Sequence, residues 1–183
     1  MLAGLAERLR GLRPPLAPDP WESLVTSITA QQVSLHAAFA IRNRLIESFG
    51  VGLGRAYAFP TRERLAGTDS EELLPLGFSR RKAEYVVGLA RAEIDLDSLA
   101  LLPDEEVKSQ LVAVKGIGEW TADWFLARHL ARPRAWPAGD LALRKAVIAF
   151  YPGTEDLRAF GERFDPFQNL SAYYLLIGLR VLG

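Results

Sequence analysis

The sequence predicts an all-α fold of about ten helices. Three observations carry this reading. No run alternates apolar and polar residues, and no Asn-Gly or Asp-Gly pair marks a strand turn. Apolar residues recur instead at helical spacing, in stretches that mostly open on Ser, Thr, Asp or Pro. Of the 183 residues, 49% are apolar, enough for a substantial core.

A Pro-rich lead (Pro14, Pro15, Pro18, Pro20) enters a helix with Trp21, Leu24, Val25 and Ile28 on one face. Ser34 caps the next, whose apolar positions are Leu35, Ala38, Phe39, Leu45 and Ile46; Gly50, Gly52 and Gly54 end it. Thr61 and Asp69 cap two short helices. Ser79 caps a longer one with Ala83, Val86, Val87 and Ala90 aligned. Pro103 starts a helix that ends near Val114, and Glu119–Leu130 forms the following one. Asp140 opens a helix running to about Tyr151, stopped by Pro152-Gly153, and Thr154 caps a short helix. Leu170–Leu182 is apolar nearly all round, with Arg180 its only charge. At 13 residues it is too short to cross a bilayer and reads as a central buried helix. The expected organisation is one unit of two helical lobes, residues 20–110 in a central lobe and 111–183 with 1–19 in the second.

Several function classes are disfavoured. No stretch reaches the roughly 18 uncharged apolar residues of a membrane span. Met1–Arg13 mixes Leu and Ala with Glu7, Arg8, Arg10 and Arg13 and lacks an apolar signal core, so a cytoplasmic protein is expected. Without cysteine there is no disulfide, thiol nucleophile or cysteine-held metal. His36 and His129 have no second ligand at metal spacing, and no serine sits in a nucleophile elbow.

The densest punctuation is Val114-Lys115-Gly116-Ile117-Gly118-Glu119-Trp120-Thr121. This is a helix, a tight Gly-x-Gly turn and a second helix. Glycines permit positive φ and a close backbone approach. The helix start that follows offers free N–H groups to a phosphate oxygen, with Lys115 beside it and Ile117 anchoring the turn. Taken alone, the same pattern also describes a simple αα-corner.

This segment resembles the helix-hairpin-helix of base-excision DNA glycosylases, in which an Asp opens a helix about twenty residues after the hairpin. Asp140, in Pro137-Ala138-Gly139-Asp140-Leu141, follows Trp120 by 20 residues. Ala30-Gln31-Gln32-Val33-Ser34 is similar to the family's Gln-rich loop, and Phe59-Pro60-Thr61 through Ala66 to its linker helix. Leu76-Gly77-Phe78-Ser79-Arg80-Arg81-Lys82-Ala83 looks like its Leu-Gly loop and basic helix, and Phe164-Asp165-Pro166-Phe167 like its Trp-x-Pro-Trp segment. The likeness runs from about Pro20 to Leu182 and is closest to the 3-methyladenine DNA glycosylase II type. The best-known members also carry an N-terminal β-rich domain that walls the base pocket; the sequence shows no counterpart, which leaves substrate range open.

The resemblance implies a monofunctional glycosylase acting on alkylated purines in double-stranded DNA, as a nucleoid-associated monomer. Asp140 would be the catalytic carboxylate, and Trp120 and Trp124, at i and i+4, would line an aromatic pocket for a cationic base. Lys115, Gly116, Ile117, Gly118 and Thr121 would hold a phosphate. Gln31, Gln32, Gly77 and Phe78 would contact the duplex where the base leaves. No cofactor is required, although main-chain carbonyls of Val112, Val114 and Ile117 could hold a potassium or sodium ion. Bifunctional relatives place a lysine where this chain has Trp120, which argues against a lyase step.

Asp140 also suits a plain N-cap, Trp120 and Trp124 suit a core, and Arg80, Arg81 and Lys82 suit a solvated helix start. A formal net charge of zero is unusual for a DNA binder. Between Leu111 and Phe150, however, Lys115, Arg128, Arg132, Arg134, Arg144 and Lys145 outnumber Glu119, Asp123 and Asp140. Three alternatives stay open: a bifunctional glycosylase with lyase activity, a non-catalytic module that binds damaged DNA, and a helical protein unrelated to DNA.

Overall fold

A computed structural model describes residues 1–182. The helices are α1 (Leu2–Arg8), α2 (Pro20–Ala30), α3 (Leu35–Phe49), α4 (Arg62–Ala66), α5 (Arg80–Arg91), α6 (Asp104–Val112), α7 (Glu119–Arg128), α8 (Leu141–Phe150), α9 (Leu157–Glu162) and α10 (Gln168–Leu182), with 3-10 turns at Ser70–Leu76 and Ser98–Leu101. The capping residues act through their side chains. Ser34 accepts from the Ala37 amide, Thr61 from Arg64 and Ser79 from Lys82, and Asp69 forms a reciprocal box with Glu72. Each fills a backbone donor that the first helical turn leaves without an intrahelical partner.

Four local features differ from the sequence reading. Between α3 and α4 runs a two-stranded antiparallel ribbon, β1 (Val51–Leu53) and β2 (Ala56–Ala58), with Leu53 opposite Ala56 and Gly54 at φ +65° in the turn. All six strand residues are exposed, so no buried face imposed the period-two pattern that a strand search relies on. Leu35 and Phe39 are 52% and 58% exposed, and Ile41 packs inward in their place. Asp156, not Thr154, caps α9; the Thr154 hydroxyl donates back to the Tyr151 carbonyl. Finally, α10 begins two residues early, at Gln168.

Two hydrophobic clusters build the interior. The first gathers Leu24, Val25 and Ile28 of α2 with Leu45, Leu73, Val86, Leu89, Leu111 and Phe125. Helix α2 sits against α3, α5 and α7. The second joins Leu5 of α1 to Leu143 and Val147 of α8, Leu157 of α9 and Leu175 of α10. Removing any of these buried leucines from water is worth roughly 1.5–3 kcal/mol. The seam therefore differs from the expected division at residue 111: residues from Leu111 to Ala135 pack in the first cluster, because α7 presses on α2 and α6 presses on α7. Trp124 packs against both clusters. Among the described residues no helix is long and apolar enough to cross a membrane.

Candidate active site and hairpin

The hairpin between α6 and α7 depends on one glycine more than the other. Gly116 has φ +96°, and a Cβ there would lie 2.2 Å from Cγ of Tyr85 on α5. Gly118 differs from expectation: its φ of −105° is open to any residue, and a Cβ would meet nothing within 4 Å. Ile117 is 3% exposed and its amide donates to the Val114 carbonyl at 3.1 Å, closing the turn. Lys115 stays exposed beside it. The flanking helices are tied by Lys108 and Asp123, 2.7 Å apart. Burial pushes the Asp123 carboxyl above its usual range, against the pull of Lys108.

The loop after α2 is fastened to this hairpin. Gln31 Nε2 donates to the Gly116 carbonyl (3.0 Å) and to Thr121 Oγ1 (3.3 Å). Lys82 of α5 donates to the Thr29 carbonyl at 2.8 Å, finishing the last turn of α2; burial lowers the pKa of its ammonium. Gln32, next along, is exposed and left-handed at φ 55°. Gln31 and Gln32, paired in the sequence reading, therefore separate into a tether and an outward-facing residue. Two expected contact residues turn their side chains inward. Thr121, 1% exposed, accepts from Gln31, and Phe78, 4% exposed, packs in the first cluster. Gly77, exposed at φ +96°, packs under Arg44 and Ile41, where a Cβ would come within 2.7 Å of the Arg44 guanidinium.

Asp140 is the N-cap of α8 and 9% exposed. Its Oδ1 accepts the Leu143 amide at 2.8 Å. Its Oδ2 accepts two indole N–H groups, from Trp120 at 2.8 Å and Trp124 at 3.1 Å. One turn apart on α7, both rings reach the same oxygen. The helix after the hairpin and the helix Asp140 opens are thus joined through one carboxylate. Asp140 is a cap and also the meeting point of both tryptophans. Trp120 lines a cleft of about 480 Å³ together with Gly139 and Arg144.

Trp124 departs from the expected base-stacking role. The Arg128 guanidinium lies over its ring, 4.8 Å from the centroid, and Trp124 also packs against both clusters. A cation and the surrounding core already cover the indole, so the cation–π site expected there is filled from within the protein. Both indoles are partly exposed, but among the described residues no cation lies over the Trp120 ring.

The local basic excess also thins in three dimensions. Arg128 is half-buried against Trp124 and Tyr173, Arg132 pairs with Asp104, and Arg134 pairs with Asp165. Lys115, Arg144 and Lys145 remain exposed and outside any ion pair among the described residues. For a cation, the carbonyl of Val114 already takes one hydrogen bond, whereas those of Val112 and Ile117 accept no backbone N–H among the described residues. A set of neutral carbonyls at a helix end fits a monovalent ion.

Sequence reasoning missed Tyr85, and read Arg81 only as part of a basic helix start. Tyr85 fills the space under Gly116, and the exposed Arg81 donates to its hydroxyl at 3.0 Å, at the hairpin's flank. The only available signal was their i, i+4 spacing on α5, which does not point to a hairpin thirty residues away.

The sequence profile of the HhH-GPD superfamily base excision DNA repair proteins matches residues 25–159. A putative DNA-3-methyladenine glycosylase of Bacillus subtilis is 27% identical over 85% of this chain and 57% of its own length. A 3-methyladenine DNA glycosylase structure from Archaeoglobus fulgidus superposes with a TM-score of 0.87, at 31% identity, over 99% of this chain and 66% of that one. The Schizosaccharomyces pombe 3-methyladenine DNA glycosylase Mag1, in complex with abasic DNA, superposes with a TM-score of 0.79, at 28% identity, over 98% of this chain and 90% of that one. The chain thus spans a little over half the length of the Bacillus relative.

Proposed function

Because the chain belongs to the HhH-GPD superfamily of base excision DNA repair proteins, we propose that it is a monofunctional DNA glycosylase that hydrolyses the N-glycosidic bond of alkylated purines. The observation that carries the proposal is the carboxylate of Asp140, anchored by Trp120, Trp124 and the Leu143 amide on the helix following the hairpin.

A base in a duplex cannot be reached at C1′, so it is turned out of the stack at a cost of a few kcal/mol. The hairpin around Gly116 and Gly118, with Lys115, grips a phosphate without reading sequence. A potassium or sodium ion on the Val112, Val114 and Ile117 carbonyls would add positive charge there. Gln32 and the Gly77 turn face the gap the base leaves, and Gln31 holds that loop to the grip.

As the C1′–N bond breaks, its electron pair leaves with the purine and the sugar gains oxocarbenium character. The ionised Asp140 stabilises that charge in a site with little water. Water then bonds to C1′ and gives up a proton to the carboxylate. A base alkylated at N3 or N7 is already cationic and leaves as a neutral molecule, so one carboxylate suffices. The Trp120 ring is the aromatic surface left for that cation. No amine stands at Trp120's position, and we infer hydrolysis without strand cleavage.

The partner is double-stranded DNA, the working unit is a monomer, and the location is the cytoplasm at the nucleoid. Incubation with methylated DNA followed by chromatography tests the reading. Free 3-methyladenine and 7-methylguanine are expected, with no covalent adduct trapped by borohydride. Release of no base would refute it.

A further inference from the structure

Arg128 is a half-buried cation with no carboxylate partner among the described residues. It projects from the last turn of α7, and α10 holds it at two points one turn apart. Its Nη1 donates to Asn169 Oδ1 at 2.9 Å, and its Cζ lies over the Tyr173 ring, 4.9 Å from the centroid. Asn169 is itself fixed, donating to the carbonyls of Ala127 and Arg132 at 2.9 and 3.0 Å. The guanidinium thus lies over two aromatic rings, Trp124 at 4.8 Å and Tyr173 at 4.9 Å. Burial pushes its pKa down to about 10, which still leaves it charged at neutral pH.

A partly desolvated charge with no ion partner costs stability unless its neighbours compensate, and here those neighbours are two rings and the Asn169 carbonyl. A guanidinium held against the Trp124 ring limits how far the indole can tilt, and that tilt sets where its N–H points. The N–H points at Asp140 Oδ2. We propose that Arg128 is a positioning residue for the Asp140 carboxylate, acting through Trp124, with Tyr173 and Asn169 as its seat on the second core. The inference rests on the proposed glycosylase reading for its consequence in catalysis, but its structural half can be tested independently.

All four tryptophan indoles are hydrogen-bonded, two to Asp140, Trp21 to the Pro60 carbonyl and Trp136 to the Leu157 carbonyl. The protein therefore carries its own controls. In ¹⁵N–¹H spectra of the Arg128→Met variant, the Trp124 Nε1–H resonance, assigned with Trp124→Phe, is expected to move and its solvent exchange to quicken about tenfold, an opening of about 1.4 kcal/mol. The Trp21 and Trp136 resonances should stay in place. Arg128→Lys, which keeps charge but not the plane, should fall between. Loss of the Trp124 shift, or equal movement of all four indoles as in a general loosening, would overturn the proposal.

In single turnover on methylated duplex, Arg128→Met should release base about 10- to 100-fold more slowly, with abasic-duplex affinity within about twofold of wild type, as expected for a misplaced reacting group. An unchanged release rate beside an active wild type would overturn the catalytic half. A wild type that releases no base would instead refute the glycosylase reading, while the indole spectra would still decide the positioning.

Discussion

The ring of Tyr85 occupies the space that a side chain at Gly116 would need. A Cβ built on that glycine would lie 2.2 Å from Tyr85 Cγ and 2.6 Å from its Cβ. The turn between α6 and α7 is therefore a backbone-against-ring contact, at a φ of +96° that L-residues rarely adopt.

Gly116→Ala faces both penalties, the ring contact and the left-handed backbone, and should lose about 2–4 kcal/mol of stability. Gly118→Ala should stay within about 0.5 kcal/mol, as expected of an unconstrained surface site. Urea denaturation of the two variants measures the difference. Equal losses would show that the turn draws on both glycines alike.

Asp140→Asn replaces an oxygen that serves two indole donors. The new amide must either turn its NH₂ toward the indoles or surrender the Leu143 cap, so a stability loss of about 1–2 kcal/mol is expected. Base release should fall by roughly 10²–10³-fold with the loss of the fixed negative charge. Binding of abasic duplex should persist within a few-fold, as read by fluorescence anisotropy. Retained excision would remove Asp140 from the chemistry.

The Lys108–Asp123 pair should be asymmetric. Asp123 is the more buried partner, with a side chain 5% exposed against 26% for Lys108. Lys108→Met leaves a buried anion alone and should cost about 3 kcal/mol. Asp123→Asn leaves a half-solvated ammonium and should cost about 1 kcal/mol or less. Burial raises the folded-state pKa of Asp123 above the unfolded value near 3.8. The folded protein therefore holds this proton more tightly than the unfolded chain. The resulting stability is present at low pH and fades as pH rises from 3.8 through the folded value. Denaturation across that range, compared with Asp123→Asn, should show the fade only in the wild type.

Gln32→Gly should stabilise by about 1 kcal/mol, because glycine adopts φ 55° without the penalty of a Cβ. Gln31→Leu should do the opposite, leaving Gly116 and Thr121 without their donor. In a double-mutant cycle with Thr121→Val, a coupling of about 0.5–1 kcal/mol is expected. Additive losses would mean that the loop and hairpin are held by something other than the Gln31 amide.

What the sequence disclosed follows from how locally each feature is encoded. Helix starts were legible because Ser34, Thr61, Asp69 and Ser79 cap within three residues of themselves. The order of hairpin, tryptophan and Asp140 was legible through spacing and family resemblance. The ribbon Val51–Ala58 was not, since both of its faces are wet and nothing selected an alternating pattern. Nor was the split between Gln31 and Gln32, adjacent and identical in type, because it depends on a hydrogen bond to a carbonyl 85 residues away. The partial burial of Arg128 was equally hidden. On α7 it is simply a basic residue in a last helical turn, and its neighbours Asn169 and Tyr173 arrive from α10.

The second core has a bearing on biosynthesis. It joins Leu5 of α1 to Leu175 of α10, so it closes only after the whole stretch between them has been made. The cluster behind α2, α5 and α7 draws on residues 21–135 and can consolidate while the ribosome is still adding the remainder. Asp140 already has Trp120, Trp124 and the Leu143 amide before α10 is made, but the cluster behind α8 is complete only once α10 has emerged. A product truncated ahead of Gln168 should thus keep the core around the hairpin and lose the packing behind α8.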